Sequence, residues 1–253
     1  MPSEQLTNQL AVAARDLGSE NVKVTLEKAV ALAVDLIEGC DSAGVSLVHR
    51  GKRLDTPAST DDSVLHGDKL QYDLQEGPCM DAVWDQEIVI SPDLAHDDRW
   101  PTWAPRVVEE LGVRSMMCIQ LFTDEKRLGA LNLYSKRTDG FTHDGDSHEG
   151  LALAAHVAVA LAAAQEIEHL ETGLRNRAVI GQALGILMER FGLTEDRAFQ
   201  VLQRVSSQTN RKLLLIATEL VHTRRLPAAV DLQGGTPSHE LSAPGSTLPL
   251  SGH

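Results

Sequence analysis

Eight basic residues stand between Arg177 and Pro227 (177, 190, 197, 204, 211, 212, 224 and 225), against four acidic ones (189, 195, 196 and 219). The whole chain of 253 residues carries a formal net charge of -13. A basic segment in an otherwise acidic protein is suited to a polyanion, because the remaining surface repels one. A solvated helical surface would give the same count. Elsewhere, Cys79 follows Gly77-Pro78 at an expected helix start, where the helix dipole would lower a thiol pKa; a small buried residue fits that position as well. Asp93, Asp97, Asp98 and Arg99 suit the mouth of a ligand site, or simply a solvated loop. Trp100 and Trp103 read as packing anchors. A P-loop, a kinase glycine set, a G-x-S-x-G nucleophile turn and a Cys/His metal cluster are all missing from the sequence, so an enzyme is not expected.

The elements that must position these residues follow from periodicity. Val22 to Ile37 carries an apolar helical stripe through Leu26, Ala29, Val30 and Ala33, and Gly39 ends it. Ala43 to His49 reads as a strand. Residues 50 to 75 are polar and turn-rich, with short strands expected near Val64 and Leu70. Glu76 to Trp84 reads as a turn and a short helix with Pro78 in its first turn. Glu87 to Ile90 is a strand, Pro101 to Leu111 a helix closed by Gly112, and Met116–Phe122 with Leu128–Tyr134 a hairpin. This order gives an α+β domain with an antiparallel sheet and flanking helices.

A long helix begins near Asp144. Eight alanines between Leu151 and Gln165 suit packing on its own sheet, or a parallel partner helix. The pattern runs on without proline through Ile167, Leu170, Leu174 and Ile180 toward Phe191, a stiff connection able to carry a rotation or register shift. A helix from Thr194 to about Gln208 buries Ala198, Val201, Leu202 and Val205. Another from about Arg211 to Thr223 buries Leu213, Leu214, Ala217, Leu220 and Val221. Residues 1–21 read as a leader and 228–253, rich in Gly, Ser and Pro, as a disordered tail. Three sparse cysteines and a polar start without an apolar signal core point to a reducing cytoplasm. Leu151 to Ala164, the longest apolar run, is too short and too rich in alanine to span a bilayer.

Arg177, Ile180-x-Gln182-Ala183, Gly185-Ile186-Leu187-Met188, Leu193-Thr194, Ala198-Phe199, Leu202, Asn210 and Lys212-Leu213 together resemble the ANTAR domain, a family of RNA-binding transcription antiterminators. Leu184 departs from that pattern: many members carry Lys there. A helical wheel puts Leu184 beside Ile180 and Leu187, in the core. Glu76-Gly77-Pro78-Cys79, Asp93-Leu94, Arg99-Trp100-Pro101, Gly112-Val113 with Ser115, and Leu128 to Tyr134 resemble a GAF domain of the kind fused to ANTAR modules. The resemblance implies a GAF-like sensor over 22–165 joined by a long helix to an all-α three-helix module over 166–227. It implies a small-molecule effector of unspecified identity, for which Cys79, Asp93, Arg99 and Trp100 are the candidate ligands.

For the second module it implies binding to tandem short-loop RNA hairpins, one per module of a homodimer, and transcription antitermination. Arg177, Arg190, Arg211 and Lys212 then suit phosphates, and Gln182 and Asn210 base edges. Arg190 equally suits a helix dipole, Asn210 a cap of the third helix, and Phe199 the core. The competing readings are a DNA-binding regulator using the same helices and a protein-interacting signalling regulator. A helix-turn-helix has a shorter turn and a more basic recognition helix than this segment.

Overall fold

A computed structural model of the chain describes Val12, Leu17 and residues 21–124, 126–142 and 146–226. The tail expected at 228–253 lies outside the described residues, as does the leader apart from Val12, Leu17 and Asn21. The chain divides into two compact units, Met1–Glu171 and Thr172–His253.

In the first unit, α1 (Val22–Leu36) starts on Asn21, whose side chain accepts the Val24 N–H at 3.0 Å. It buries Leu26, Ala29, Val30 and Ala33, the stripe its spacing predicts. Strands β1 (Ser42–His49) and β2 (Arg53–Ser59) follow as an antiparallel pair. Val64 and Leu70, expected on short strands, lie instead on a helix, α2 (Asp62–Leu74). Asp61 caps it through the N–H groups of Ser63 and Val64. Its inward stripe of Val64, Gly67, Asp68, Leu70 and Gln71 is half polar, which hides the helical period. Then come α3 (Pro78–Trp84), β3 (Ile88–Ser91), a 3-10 turn (Leu94–His96), α4 (Trp103–Leu111), β4 (Ser115–Phe122), β5 (Arg127–Ser135) and α5 (Asp146–Phe191).

The five strands pair antiparallel in the order β2-β1-β5-β4-β3. Alternate residues face opposite sides. Val45, Leu47, Met117, Ile119, Leu131 and Leu133 pack against α1 and against Leu153, Val157 and Leu161 of α5. Met116, Cys118, Ala130 and Tyr134 pack against α2, α3 and α4. Burial on both faces explains the nearly unbroken apolar run of β4. Strands β1 and β5 approach so closely at Gly129 that a Cβ there would lie 1.8 Å from the Ser46 carbonyl oxygen. On the edge strand β2, Thr56 and Pro57 together oppose the single residue Ser46, a bulge between the Val45–Ala58 and Leu47–Asp55 pairs.

By length and composition α5 is apolar enough to cross a membrane. Its Leu153, Ala154, Val157, Ala158 and Leu161 are instead core residues of the sheet domain.

The second unit holds the last part of α5, α6 (Glu195–Thr209) and α7 (Leu213–Thr223). Gly192, at φ +59°, turns the chain out of α5, and Glu195 and Asp196 sit at the positive start of α6. The core is Ala183, Leu184, Leu187, Ala198, Leu202, Val205, Ile216, Ala217 and Leu220. Leu184 therefore packs inward, as the wheel predicts. Phe199, expected in the core, is 38% exposed. It lies one residue off the Ala198–Leu202–Val205 stripe, and so about 100° around α6.

Candidate RNA interface and sensor site

Behind the sheet of the first unit lies a buried polar network. Asp68 on α2 is fully buried. Its Oδ1 accepts hydrogen bonds from the Tyr134 hydroxyl, from Asn132 Nδ2 at 2.9 Å and from Gln71 Nε2 at 3.3 Å. Its Oδ2 accepts from Thr56 Oγ1 at 2.8 Å. The Ser46 hydroxyl joins Tyr72 at 2.5 Å, Asn132 Nδ2 at 2.8 Å and the Cys79 thiol at 3.2 Å. Every donor to the carboxylate is neutral. Burial pushes the Asp68 carboxyl up to about 6, against the pull of its hydrogen bonds. The β2 bulge aims Thr56 into this network, and the sheet register sets Asn132 between Gly44 and Cys118.

The Cys79 backbone N–H donates to Gln71 Oε1 at 2.7 Å. Gly77, at φ +141°, lets the chain pass Gln71, whose Oε1 would lie 2.3 Å from any Cβ there. Of the two readings of Cys79, the structure has the small buried residue. Burial, then the nearby Asp68, push the Cys79 thiol up to about 12, and a seven-residue α3 offers little dipole to oppose that.

The other three candidate effector ligands sit on the segment from β3 to α4. Asp93 accepts from His96 and, more weakly, from the Ala95 N–H, which hold its carboxyl below the usual range. The Arg99 guanidinium pairs with Asp97 at 2.6 Å, donates to the Ile90 carbonyl at 2.7 Å and covers the Trp100 ring at 4.3 Å. The buried Trp100 donates its indole N–H to Asp81 at 2.9 Å. Arg99 and Trp100 meet, Asp93 lies along the same segment, and Cys79 belongs to the buried network. Sequence reasoning missed Asp68, Gln71 and Tyr72. Their signal was the Asp61 cap followed by a mixed polar stripe at helical spacing.

The Asp68 carboxyl gives a pH prediction. Unfolded, it titrates near 3.8; folded, near 6. Between those values the folded chain holds the extra proton, so this group's contribution to stability falls as pH rises through the window. By about pH 7 the loss is on the order of 3 kcal/mol. Asp68→Asn is expected to gain on the native chain between about pH 4 and pH 7 in denaturant unfolding, and a difference independent of pH would refute this.

In the second unit, Arg177, Gln182 and Lys212 are exposed. Gln182 lines a cleft of about 380 Å³ with Gly185, Ile186, Glu189, Val221 and Arg224. Arg190 donates from Nη1 to the Arg224 carbonyl at 2.6 Å, closing the C-terminal end of α7. Arg211 pairs with Glu219 at 2.7 Å. Asn210 does not cap the third helix. At φ 49° it is the left-handed residue that ends α6, and Lys212 takes the N-cap position of α7. Gln182 and Arg190 thus lie at the C-terminal end of α7 and Asn210, Arg211 and Lys212 at its N-terminal end, about 16 Å away for eleven residues, while Arg177 lies on α5 five residues before Gln182.

A GAF domain model matches residues 19–162, and an ANTAR domain model matches residues 168–221. The chain is a GAF and ANTAR domain protein. The ANTAR domain is an RNA-binding antitermination domain and the GAF domain a sensor domain; both are regulatory rather than catalytic. Among solved structures, the GAF domain of an Acinetobacter phosphoenolpyruvate-protein phosphotransferase is 18% identical, with a TM-score of 0.51, covering 65% of this chain and 98% of that one. Its counterpart from Coxiella burnetii is 14% identical, with a TM-score of 0.51, covering 65% and 96%. The phytochrome photosensory core module of Stigmatella aurantiaca is 14% identical, with a TM-score of 0.55, covering 86% of this chain and 46% of that one. At such identities the likeness shows the fold alone. Among curated proteins, none matches the chain.

Proposed function

We propose that the chain is a cytoplasmic antitermination regulator whose ANTAR module, residues 166–227, binds tandem short-loop RNA hairpins under control of the GAF sensor, residues 22–165. The ANTAR match across all three helices of the second unit carries this reading. The excess of cations there supports it, since phosphate contacts set affinity and register on RNA. Two hairpins call for two modules, and a homodimer supplies them. Ile167, Leu170 and Leu174 stand 54%, 59% and 64% exposed on α5. Their three- and four-residue spacing is that of a coiled-coil seam, which fits a second copy of the chain. A small molecule bound by the GAF domain is the proposed signal. The free state of Cys40, Cys79 and Cys118 fits a reducing compartment.

The test is binding of the full chain to tandem-hairpin RNA, single-hairpin RNA and duplex DNA of equal length, across a salt series. Tight binding to the tandem RNA alone, with a steep salt dependence, is expected. Arg177 and Lys212 have no side-chain partner among the described residues. Arg177→Ala/Lys212→Ala is expected to weaken binding about ten-fold or more and to flatten the salt slope by about 1.4. Equal affinity for all three nucleic acids would exclude the hairpin reading, and preference for duplex DNA would favour a DNA-binding regulator.

A further inference from the structure

The ANTAR module has a second groove, of about 390 Å³, lined by Phe191, Leu193, Arg197, Gln200, Val201 and Arg204. That volume is within the range of small-molecule sites. Leu193 and Val201 pack on the module core and form its floor. Phe191, the last residue of α5, is 44% exposed. Arg197, Gln200 and Arg204 fall three and seven residues apart on α6, on one face of the helix.

The charge of this groove differs from that of the rest of the module. Arg190 and Arg211 spend their guanidinium groups on the Arg224 carbonyl and on Glu219. Arg197 and Arg204 have no ion pair or hydrogen bond among the described residues. None of the six lining residues is acidic, whereas the cleft beside Gln182 includes Glu189. In a chain of net charge -13, two unpaired arginines flanking an exposed ring complement an anion that carries a flat apolar group.

We propose that this groove receives one unpaired nucleobase of the bound RNA. The base stacks on the Phe191 ring, Gln200 meets its edge, and Arg197 and Arg204 hold the phosphates on either side. Loop bases splayed from a hairpin are recognised by stacking on aromatic rings and by contacts to their edges. A flat base on Phe191 leaves both arginines free for the backbone. The inference rests on the RNA-binding reading and assigns it residues that the family motif did not pick out.

The experiment uses the full chain, tandem short-loop hairpin RNA and a salt series, with thermal unfolding as a control on the fold. Phe191→Leu is expected to weaken binding about ten-fold with the salt slope unchanged, and Phe191→Tyr, which keeps the ring, to bind as the native chain does. Arg197→Gln/Arg204→Gln is expected to lower the salt slope by about 1.4. An abasic nucleotide at one loop position should abolish the difference between the native chain and Phe191→Leu. Native selectivity for hairpin RNA combined with an unchanged affinity of Phe191→Leu overturns the groove and leaves the RNA reading standing. Should leucine unfold the module, the arginine pair decides, and an unchanged slope overturns the groove. Loss of RNA selectivity in the native chain overturns both.

Discussion

Trp103→Ala is expected to lower the stability of the GAF domain by about 3–5 kcal/mol. The indole is fully buried as the first residue of α4. It donates from Nε1 to the Gly67 carbonyl at 3.1 Å and meets Trp100 edge-on at 6.1 Å. The Trp103 backbone N–H is held by Glu76 Oε1 at 2.8 Å, which also takes the Thr102 N–H. Truncation leaves a cavity between α2 and α4 and removes the indole hydrogen bond to the Gly67 carbonyl, which keeps its place in the α2 ladder. All three tryptophans, 84, 100 and 103, lie in the first unit, so the emission of the remaining two reports its unfolding alone. A loss below about 1 kcal/mol would show that the site collapses around the missing ring.

Leu202→Ala is expected to unfold the ANTAR module. Leu202 is fully buried among Leu187, Ala198, Val205, Ile216 and Leu220. The change costs about 2–5 kcal/mol. A core this small supplies little more than about 3–5 kcal/mol in total. Far-ultraviolet circular dichroism should lose helix at 25 °C and RNA binding should vanish, while the tryptophan-reported transition stays in place. Leu215→Ala, at a 52% exposed position on the same helix pair, should change stability by no more than about 0.5 kcal/mol. A fall in the tryptophan-reported transition in parallel with the helix signal would mean that the two units unfold as one.

The residues that announced themselves in the sequence were those whose partners lie within a turn or two. Pro78 at the start of α3, Gly112 after Leu111 and Thr194 before Glu195 mark helix ends by local chemistry alone. Helix α2 was obscured because its buried face carries Asp68 and Gln71, whose partners come from α3, β2 and β5. No window of sequence brings Ser46, Asp68 and Asn132 together; the pairing of β1 with β5 and the packing of α2 on the sheet do. In the RNA module, Arg190 and Arg211 read as free cations because the groups that engage them, the Arg224 carbonyl and Glu219, are set by the course of α7. Arg197 and Arg204 counted only as charge until α6 placed them beside Phe191.

The bulged edge of the sheet bears on how copies of this chain can meet. An outer strand ordinarily offers a row of backbone donors and acceptors to any passing strand, which is the route to uncontrolled fibre growth. Pro57 removes one donor from β2, the bulge bends the strand there, and Arg53 and Asp55 stand exposed as charges along it. The opposite edge, β3, is four residues long. Neither rim is a template for an incoming chain. Contact between copies of this chain is thereby steered away from its strands and toward its helices and loops, where association does not propagate as a growing sheet.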